Sequence, residues 1–270
     1  MSSERNKKPL SIPFLSSLFD GAIKFIETVG NFSIFFARLG RAFFKRPFRI
    51  RLFIEQFERI GFQSIGIIAL SSLAIGMIFT LQIVTLMAYF QAEIMVGAAV
   101  GMTLARELAP VITALMLIAK NGSAMTAELG TMRVTEQIDA METMSVDPIH
   151  YLVVPRVAAS VLGFPVLTAM ANFVGLVGSY IVAVYLRGVD AGAYVDQLFQ
   201  YVDPDDIYSG LIKAAVMGLM MASICSFFGF NTKRGSKGVG EAATTAVVTS
   251  SVGILVADYI MADLMLKLYY

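Results

Sequence analysis

Two neighbouring opposite charges, Arg106 and Glu107, lie inside the apolar run MTLARELAPVITALM, and Pro110 follows them. A charge at the middle of a lipid-facing helix costs ~2.5 to 3.5 kcal/mol, so such residues normally face a protein interior or a wet cavity. Consecutive helical residues point about 100° apart, so we expect these two side chains to meet other partners. Pro110 cannot donate to the Arg106 carbonyl four residues earlier, so the helix should open there. A guanidinium, a carboxylate and a freed carbonyl would then line one polar region, which could hold a phosphate headgroup in a lipid carrier.

Asp258 is a further candidate, because it lies well inside another apolar stretch. Three interpretations of Arg106, Glu107 and Asp258 stay open at this point. They could line a lipid cavity together with Pro110. They could form a purely structural ion network, with Asp258 as the partner of Arg106. They could also act as the relay of an ion-coupled carrier or channel that works without ATP.

Other kinds of chemistry find little support in the sequence. A single cysteine, Cys225, cannot form an intramolecular disulfide, and a single histidine, His150, excludes a histidine-cluster metal site. The chain contains no G-x-x-x-x-G-K-[ST] phosphate loop, since GSKGVG at 235–240 has the wrong spacing. We therefore predict no catalytic residue, no metal and no cofactor bound by this chain.

The composition is that of a membrane protein. Hydrophobic residues make up 57% of the chain and the mean hydropathy is +0.71, whereas soluble domains are ~45 to 50% apolar. A bilayer core of ~30 Å requires ~20 apolar helical residues. We predict an all-α integral membrane protein whose five spans cover about 64–87, 94–119, 153–186, 207–230 and 242–266. Within them Gly97-x-x-x-Gly101 indicates close helix packing and matches a dimerisation motif.

The distribution of charge predicts the orientation. Residues 1–59 carry eleven Lys and Arg residues, which favour the cytoplasmic side. The connection 187–206 carries one Arg and five Asp residues and is therefore expected outside. Three spans separate the two regions, provided that 153–186 is a single helix. An odd number of spans is needed to place the two regions on opposite sides of the membrane. The N-terminus is then cytoplasmic and the C-terminus periplasmic.

The N-terminal region 1–60 is predicted to be a basic amphipathic segment distinct from the transmembrane domain 61–270. Between 31 and 60, phenylalanines alternate with arginines and lysines at a spacing that suits helices lying in the membrane interface, with Pro47 between them. Beside five membrane spans, we interpret this region as an anchor on anionic lipid and predict no nucleic-acid partner.

Between the second and third spans the sequence KNGSAMTAELGTMRVTEQIDAMETMSVDPIHY is too polar for lipid. Val134, Ile138 and Met141 recur at helical spacing and predict an amphipathic helix over 133–144, ended by Asp147-Pro148. With RELAPVITALM before it and LVVPR after it, this sequence resembles the permease family of the Mla-type (YrbE) lipid transporters, from about residue 50 to the C-terminus.

The resemblance implies the membrane subunit of an ABC transporter that moves phospholipids between the bacterial inner membrane and the outer envelope, maintaining lipid asymmetry of the outer membrane. It implies a homodimer, a cytosolic ATPase that binds ATP and magnesium, and a periplasmic ring of MCE-domain proteins. Some complexes of the family also include a small STAS-type cytosolic subunit. Other hydrophobic compounds are carried by relatives, so an export permease for such compounds that acts without an ATPase is the alternative.

The resemblance further implies that the helix at 133–144 is a coupling helix seated in the ATPase. The residues assigned to this contact are Glu128, Arg133, Glu136, Gln137, Asp139, Met141 and Glu142. Two departures from the family pattern are Lys120, where an arginine is common, and Met144-Ser145, where Met-Gly is common. Lys120 keeps the charge but loses the forked guanidinium geometry.

Overall fold

The computed structural model describes residues 13–45, 49–233 and 235–269, and every regular element in those ranges is helical. An N-terminal helix (Pro13–Phe43) precedes five long helices, which we call the first to fifth spans. The spans are Ile50–Tyr89, Glu93–Val134, Ile149–Leu186, Pro204–Phe230 and Gly235–Tyr269. Two shorter helices lie between them, a connecting helix (Gln137–Thr143) and an outer helix (Ala191–Tyr201).

All five predicted spans correspond to helices that are long and apolar enough to cross a membrane. The prediction that 153–186 forms one helix is confirmed, although Pro165 lies inside it. The spans are longer than their apolar windows. The second span carries the polar sequence up to Val134 on the same helix, and the first begins at Ile50, with a short 3₁₀ turn at Phe62–Ser64.

The segment expected to form one helix over 133–144 is divided in the structure. The second span ends at Val134, and Glu136 adopts a left-handed backbone with φ of 60° before the connecting helix begins. A left-handed residue cannot continue a right-handed helix, so the chain turns there. Helices are present on either side of the predicted break, over Pro13–Phe43 and Ile50–Ile60, whereas Pro47 itself lies outside the described residues.

Glycines set the closest approaches between helices. A Cβ on Gly76 of the first span would collide with the Gly175 carbonyl of the third, and one on Gly218 of the fourth would lie 2.6 Å from the Ser160 carbonyl. Gly97 and Gly101 face the outer helix of the same chain, at Tyr194 and Leu198. These two glycines therefore allow a close contact within one chain. That contact explains their spacing without a dimer interface.

Four π-helical segments occur within the described residues: Leu104–Leu108 and Ile118–Gly122 interrupt the second span, Ile149–Val153 begins the third span and Ile181–Leu186 ends it. Two of them directly precede helical segments with a proline in the first turn, Pro110 and Pro155. Proline lacks the N–H that would donate to the carbonyl four residues earlier. A π turn directly before the proline widens the helix at that carbonyl, which can then accept from another group. The π segments turn selected side chains and carbonyls toward neighbouring spans.

Candidate functional site

Five charged side chains from three spans meet inside the bundle, and we call them the intramembrane charge cluster. Arg106 Nε lies 2.6 Å from Asp206 Oδ1, and Lys213 Nζ lies 2.7 Å from Glu107 Oε2 and 3.5 Å from Asp258 Oδ1. Lys213 and Asp206 are only 1% and 2% exposed, whereas the side chains of Arg106 and Glu107 are 21% and 41% exposed. The cluster thus has a closed side and an open side.

The backbone of the second span takes part in the cluster. The Arg106 carbonyl, which Pro110 cannot satisfy, accepts a hydrogen bond of 3.2 Å from Lys213 Nζ. The predicted opening at Pro110 is therefore confirmed, and it takes the form of the π segment Leu104–Leu108. Gly210 lies against the Ala105 carbonyl, where a Cβ would overlap the oxygen, so only glycine lets the fourth span come this close.

The partner proposed for Arg106 was wrong. Arg106 pairs with Asp206 of the fourth span, and Asp258 pairs with Lys213. Sequence reasoning missed Lys213, although a lysine inside the apolar window IYSGLIKAAVMG is the same signal that identified Arg106. Asp206 was assigned to the acidic loop, but it lies in the first turn of the fourth span, where it also accepts from the Asp203 N–H in a capping box.

The connecting helix presents a polar surface at the other end of the second span. Its Ile138 is buried and Met141 is partly buried in the main core. The polar side chains predicted for the ATPase contact are exposed on this helix and its preceding turn, namely Glu136, Gln137, Asp139 and Glu142. Arg133 pairs with Asp139 and so ties the end of the second span to the connecting helix.

Comparison with known proteins gives concordant results. The family model described as Permease MlaE matches residues 53–264. A probable ABC transporter permease protein of Rickettsia felis is 40% identical over 245 residues, which is 91% of this chain and 95% of that protein. The intermembrane phospholipid transport system permease protein MlaE of Haemophilus influenzae is 36% identical over 257 residues, or 94% and 98% of the two chains.

The chain belongs to the MlaE permease family. It is a multi-pass membrane protein and a non-catalytic permease subunit. A plant protein is also similar: TRIGALACTOSYLDIACYLGLYCEROL 1, chloroplastic, of Arabidopsis thaliana is 39% identical over 210 residues, 78% of this chain and 60% of its own length.

Within this MlaE-family chain, Glu128 forms a second ion network near the connecting helix. Its carboxylate lies 2.9 Å from Arg59 Nη1 of the first span and 3.0 Å from Arg156 Nη2 of the third. Arg156 is buried and also donates to the Leu152 carbonyl at 2.7 Å. Glu128 was predicted to contact the ATPase, and the structure shows that it joins three spans of its own chain.

Lys120, one of the two departures expected from the resemblance, has defined contacts in the structure. The π segment Ile118–Gly122 turns Lys120 Nζ onto the Gln63 carbonyl. The adjacent Asn121 donates from Nδ2 to Ser64 Oγ at 3.0 Å. A single ammonium suffices for a backbone carbonyl, so the forked geometry of arginine is not required at this position.

Proposed function

We propose that this chain is the membrane subunit of an ATP-driven ABC transporter that moves phospholipids between the inner membrane and the outer envelope. The observation that carries the proposal is the intramembrane charge cluster, because five ionisable side chains within apolar spans are expensive unless they serve a polar cargo or pathway. The Haemophilus influenzae relative is the permease of an intermembrane phospholipid transport system, which agrees with this cargo.

The open side of the cluster suits a phospholipid headgroup. Arg106 and Glu107 are its two more accessible charges and have opposite signs. A phosphate can bind the guanidinium through charge-assisted hydrogen bonds, while the cationic group of a zwitterionic headgroup can approach the carboxylate. Pro110 and Asp258 support this site indirectly, since one frees the Arg106 carbonyl and the other shares Lys213.

The connecting helix is proposed to receive the energy of ATP hydrolysis. Its exposed polar residues form the surface that a cytosolic ATPase would contact. The ion pair between Arg133 and Asp139 links that surface to the second span. Arg106 and Glu107 lie on that same span. ATP and magnesium are expected on the ATPase, and no cofactor is expected on this chain.

The proposed setting is the bacterial inner membrane, with the connecting helix on the cytoplasmic side and the acidic connection 187–206 outside. A homodimer, a periplasmic MCE-domain ring and a small STAS-type subunit complete the proposed assembly. The exposed apolar face of the fifth span, which includes Val252, Val256 and Tyr259, supports a partner helix or lipid along it.

One observation favours a second candidate function. Lys213 is shared by Glu107 and Asp258, and such a chain of titratable groups could carry ions through an ion-coupled carrier. This candidate predicts proton-dependent flux by the isolated chain in liposomes. The transporter proposal predicts none, and it also predicts that lipid movement requires the ATPase.

The test is affinity purification of the tagged chain from its native membranes, followed by native mass spectrometry of bound proteins and lipids. The unaltered chain is compared with Arg106→Gln plus Glu107→Gln, and with the charge-matched control Lys237→Gln plus Glu241→Gln on an exposed helical turn. We expect an ATPase with all three, and retained phospholipid with the unaltered chain and the control only. Absence of an ATPase would refute the transporter, whereas lipid retained by the cluster variant would exclude the headgroup site.

A further inference from the structure

A cavity of about 490 Å³ lies outside the charge cluster, where the N-terminal helix, the connecting helix and the end of the fourth span meet. We call it the basic cavity. Four cationic side chains and two carboxylates line it, together with apolar residues. They are Arg38, Arg41, Lys45, Arg133, Glu142 and Asp147. Its volume falls within the ~300 to 1,000 Å³ of small-ligand sites.

Two of the four cations are already neutralised within the protein. Lys45 lies 2.7 Å from Asp147, and Arg133 pairs with Asp139. Arg38 and Arg41 form no ion pair with any side chain in the part of the chain that the structure describes. They lie three residues apart and thus on one side of the N-terminal helix. Among the described lining residues, Glu142 is the one carboxylate left to oppose them, so this lining carries an excess of positive charge.

The cavity lies at the end of an apolar span, which is the level at which lipid headgroups are expected. It is lined by Phe230 and Asn231, where the apolar fourth span ends. The other side of the N-terminal helix forms an apolar groove with the third span, lined by Phe36, Phe43 and Leu162 among others. A helix with arginines on one side and phenylalanines on the other is typical of the membrane interface. Membrane phosphates are therefore the anions available to this cavity.

We propose that the basic cavity binds the phosphate of an anionic membrane phospholipid through Arg38 and Arg41. Guanidinium groups bind phosphate through paired, charge-assisted hydrogen bonds. A bound headgroup would touch both the N-terminal helix and the connecting helix. If the connecting helix couples to an ATPase, as proposed above, the lipid content of the membrane would tune ATP hydrolysis. That consequence rests on the proposed function, whereas the binding site does not.

The binding test uses the full chain purified in a neutral detergent, with dioctanoyl phosphatidylglycerol as the probe and dioctanoyl phosphatidylcholine as its zwitterionic counterpart. Bound lipid is counted by native mass spectrometry over a titration. The cavity variant is Arg38→Gln plus Arg41→Gln. The control, Arg51→Gln plus Lys237→Gln, removes the same charge from two exposed positions outside the cavity.

We expect the phosphatidylglycerol affinity to fall about tenfold in the cavity variant and to change less than twofold in the control, because these arginines are solvent-accessible and their contacts are partly screened. Equal losses in both variants, or equal affinity for phosphatidylcholine, would overturn the proposal. Inorganic phosphate that competes as well as the lipid would support the anion site but overturn the lipid as its source. A cavity variant that keeps its lipid and loses a bound ATPase would assign the arginines to a protein contact instead.

The regulatory consequence is measured separately on the purified complex. Adding phosphatidylglycerol should change ATP hydrolysis in the unaltered complex and the control, and leave the cavity variant unaffected. If lipid binds as expected and no ATPase accompanies the chain, the proposed function fails while the lipid site stands.

Discussion

Removal of the Lys213 ammonium is the sharpest test of the intramembrane charge cluster. Lys213 is 1% exposed, lies 2.7 Å from Glu107 and 3.5 Å from Asp258, and donates to the Arg106 carbonyl. The variant Lys213→Met keeps the length and apolar stem of the side chain and deletes only the charge. Two carboxylates and one carbonyl then lose their common partner.

The expected cost follows from the exposure of those partners. Breaking a buried ion pair by removing one member costs about 3 to 5 kcal/mol. Glu107 is 41% exposed and can be hydrated, so most of the penalty falls on Asp258, which is 16% exposed. A carboxyl can avoid the penalty by taking up a proton, which at pH 7 costs about 4 kcal/mol for an ordinary aspartic acid. We therefore expect Lys213→Met to lower the free energy of unfolding by about 3 kcal/mol.

The single cysteine provides the assay. Cys225 is fully buried in the fourth span, so its reaction with a thiol-specific dye reports unfolding as SDS is added to the protein in a mild detergent. The double variant Lys213→Met plus Asp258→Asn removes both charges and should regain about 2 kcal/mol of the loss. Unchanged stability of Lys213→Met, or a double variant destabilised by the sum of the single effects, would refute the proposed ionic coupling.

Three further predictions concern packing, pH and coupling. Gly210→Ala should destabilise the chain by about 2 kcal/mol or more, because its Cβ would overlap the Ala105 carbonyl, whereas Gly66→Ala, whose Cβ meets nothing, should be neutral in the same dye assay. Burial opposes ionisation of Asp147, but hydrogen bonds from Lys45 and from the His150 and Ile149 amides hold its pKa below the usual value. The contribution of the Asp147 carboxylate to stability is thus present above pH ~4 and lost as the pH falls below ~4. The variant Lys45→Met should weaken this acid dependence when the free energy of unfolding is measured from pH 6 to 3. Glu136→Lys plus Gln137→Lys, both exposed and outside the basic cavity, should weaken ATPase association in pull-downs by about tenfold, with phospholipid retention unchanged; equal ATPase recovery would contradict the coupling role.

The span count could be predicted from sequence because hydropathy over about 20 residues depends only on local composition. The opening at Pro110 could also be predicted from local sequence, because the position of the proline identifies the carbonyl, four residues earlier, that is left without a donor. The ion partners were not predictable in the same way. Asp206 and Lys213 lie about 100 residues from Arg106 and Glu107, and the rotation of the fourth span against the second depends on the contact at Gly210. A hydropathy window carries no information on that rotation.

The connecting segment shows a different limit. Its apolar spacing correctly indicated a buried face at Ile138 and Met141. The same spacing could not reveal the left-handed turn at Glu136, because glutamate has no strong preference for that conformation. Nor does the spacing of apolar residues report the Arg133–Asp139 ion pair, which spans the turn. Glu128 was similarly ambiguous, since an exposed partner contact and an internal ion network require the same residue type.

Two ionic networks thus contact the second span at two separate levels, and this span is the element common to both. Glu107 and Glu128 are separated by about 32 Å along a helix of this length, so one network lies near the outer helix and the other near the connecting helix. Each joins the second span to a different set of neighbours, the fourth and fifth spans in one case and the first and third in the other. A rigid helix would transmit displacement at one end directly to the other. The second span instead contains two π segments, one at the charge cluster and one between the two networks. Because π segments interrupt the regular hydrogen-bond ladder, we expect the second span to bend at these points. Movement of the connecting helix would then change the tilt of the segment that carries Arg106 and Glu107. The packing between the third and fourth spans would stay intact.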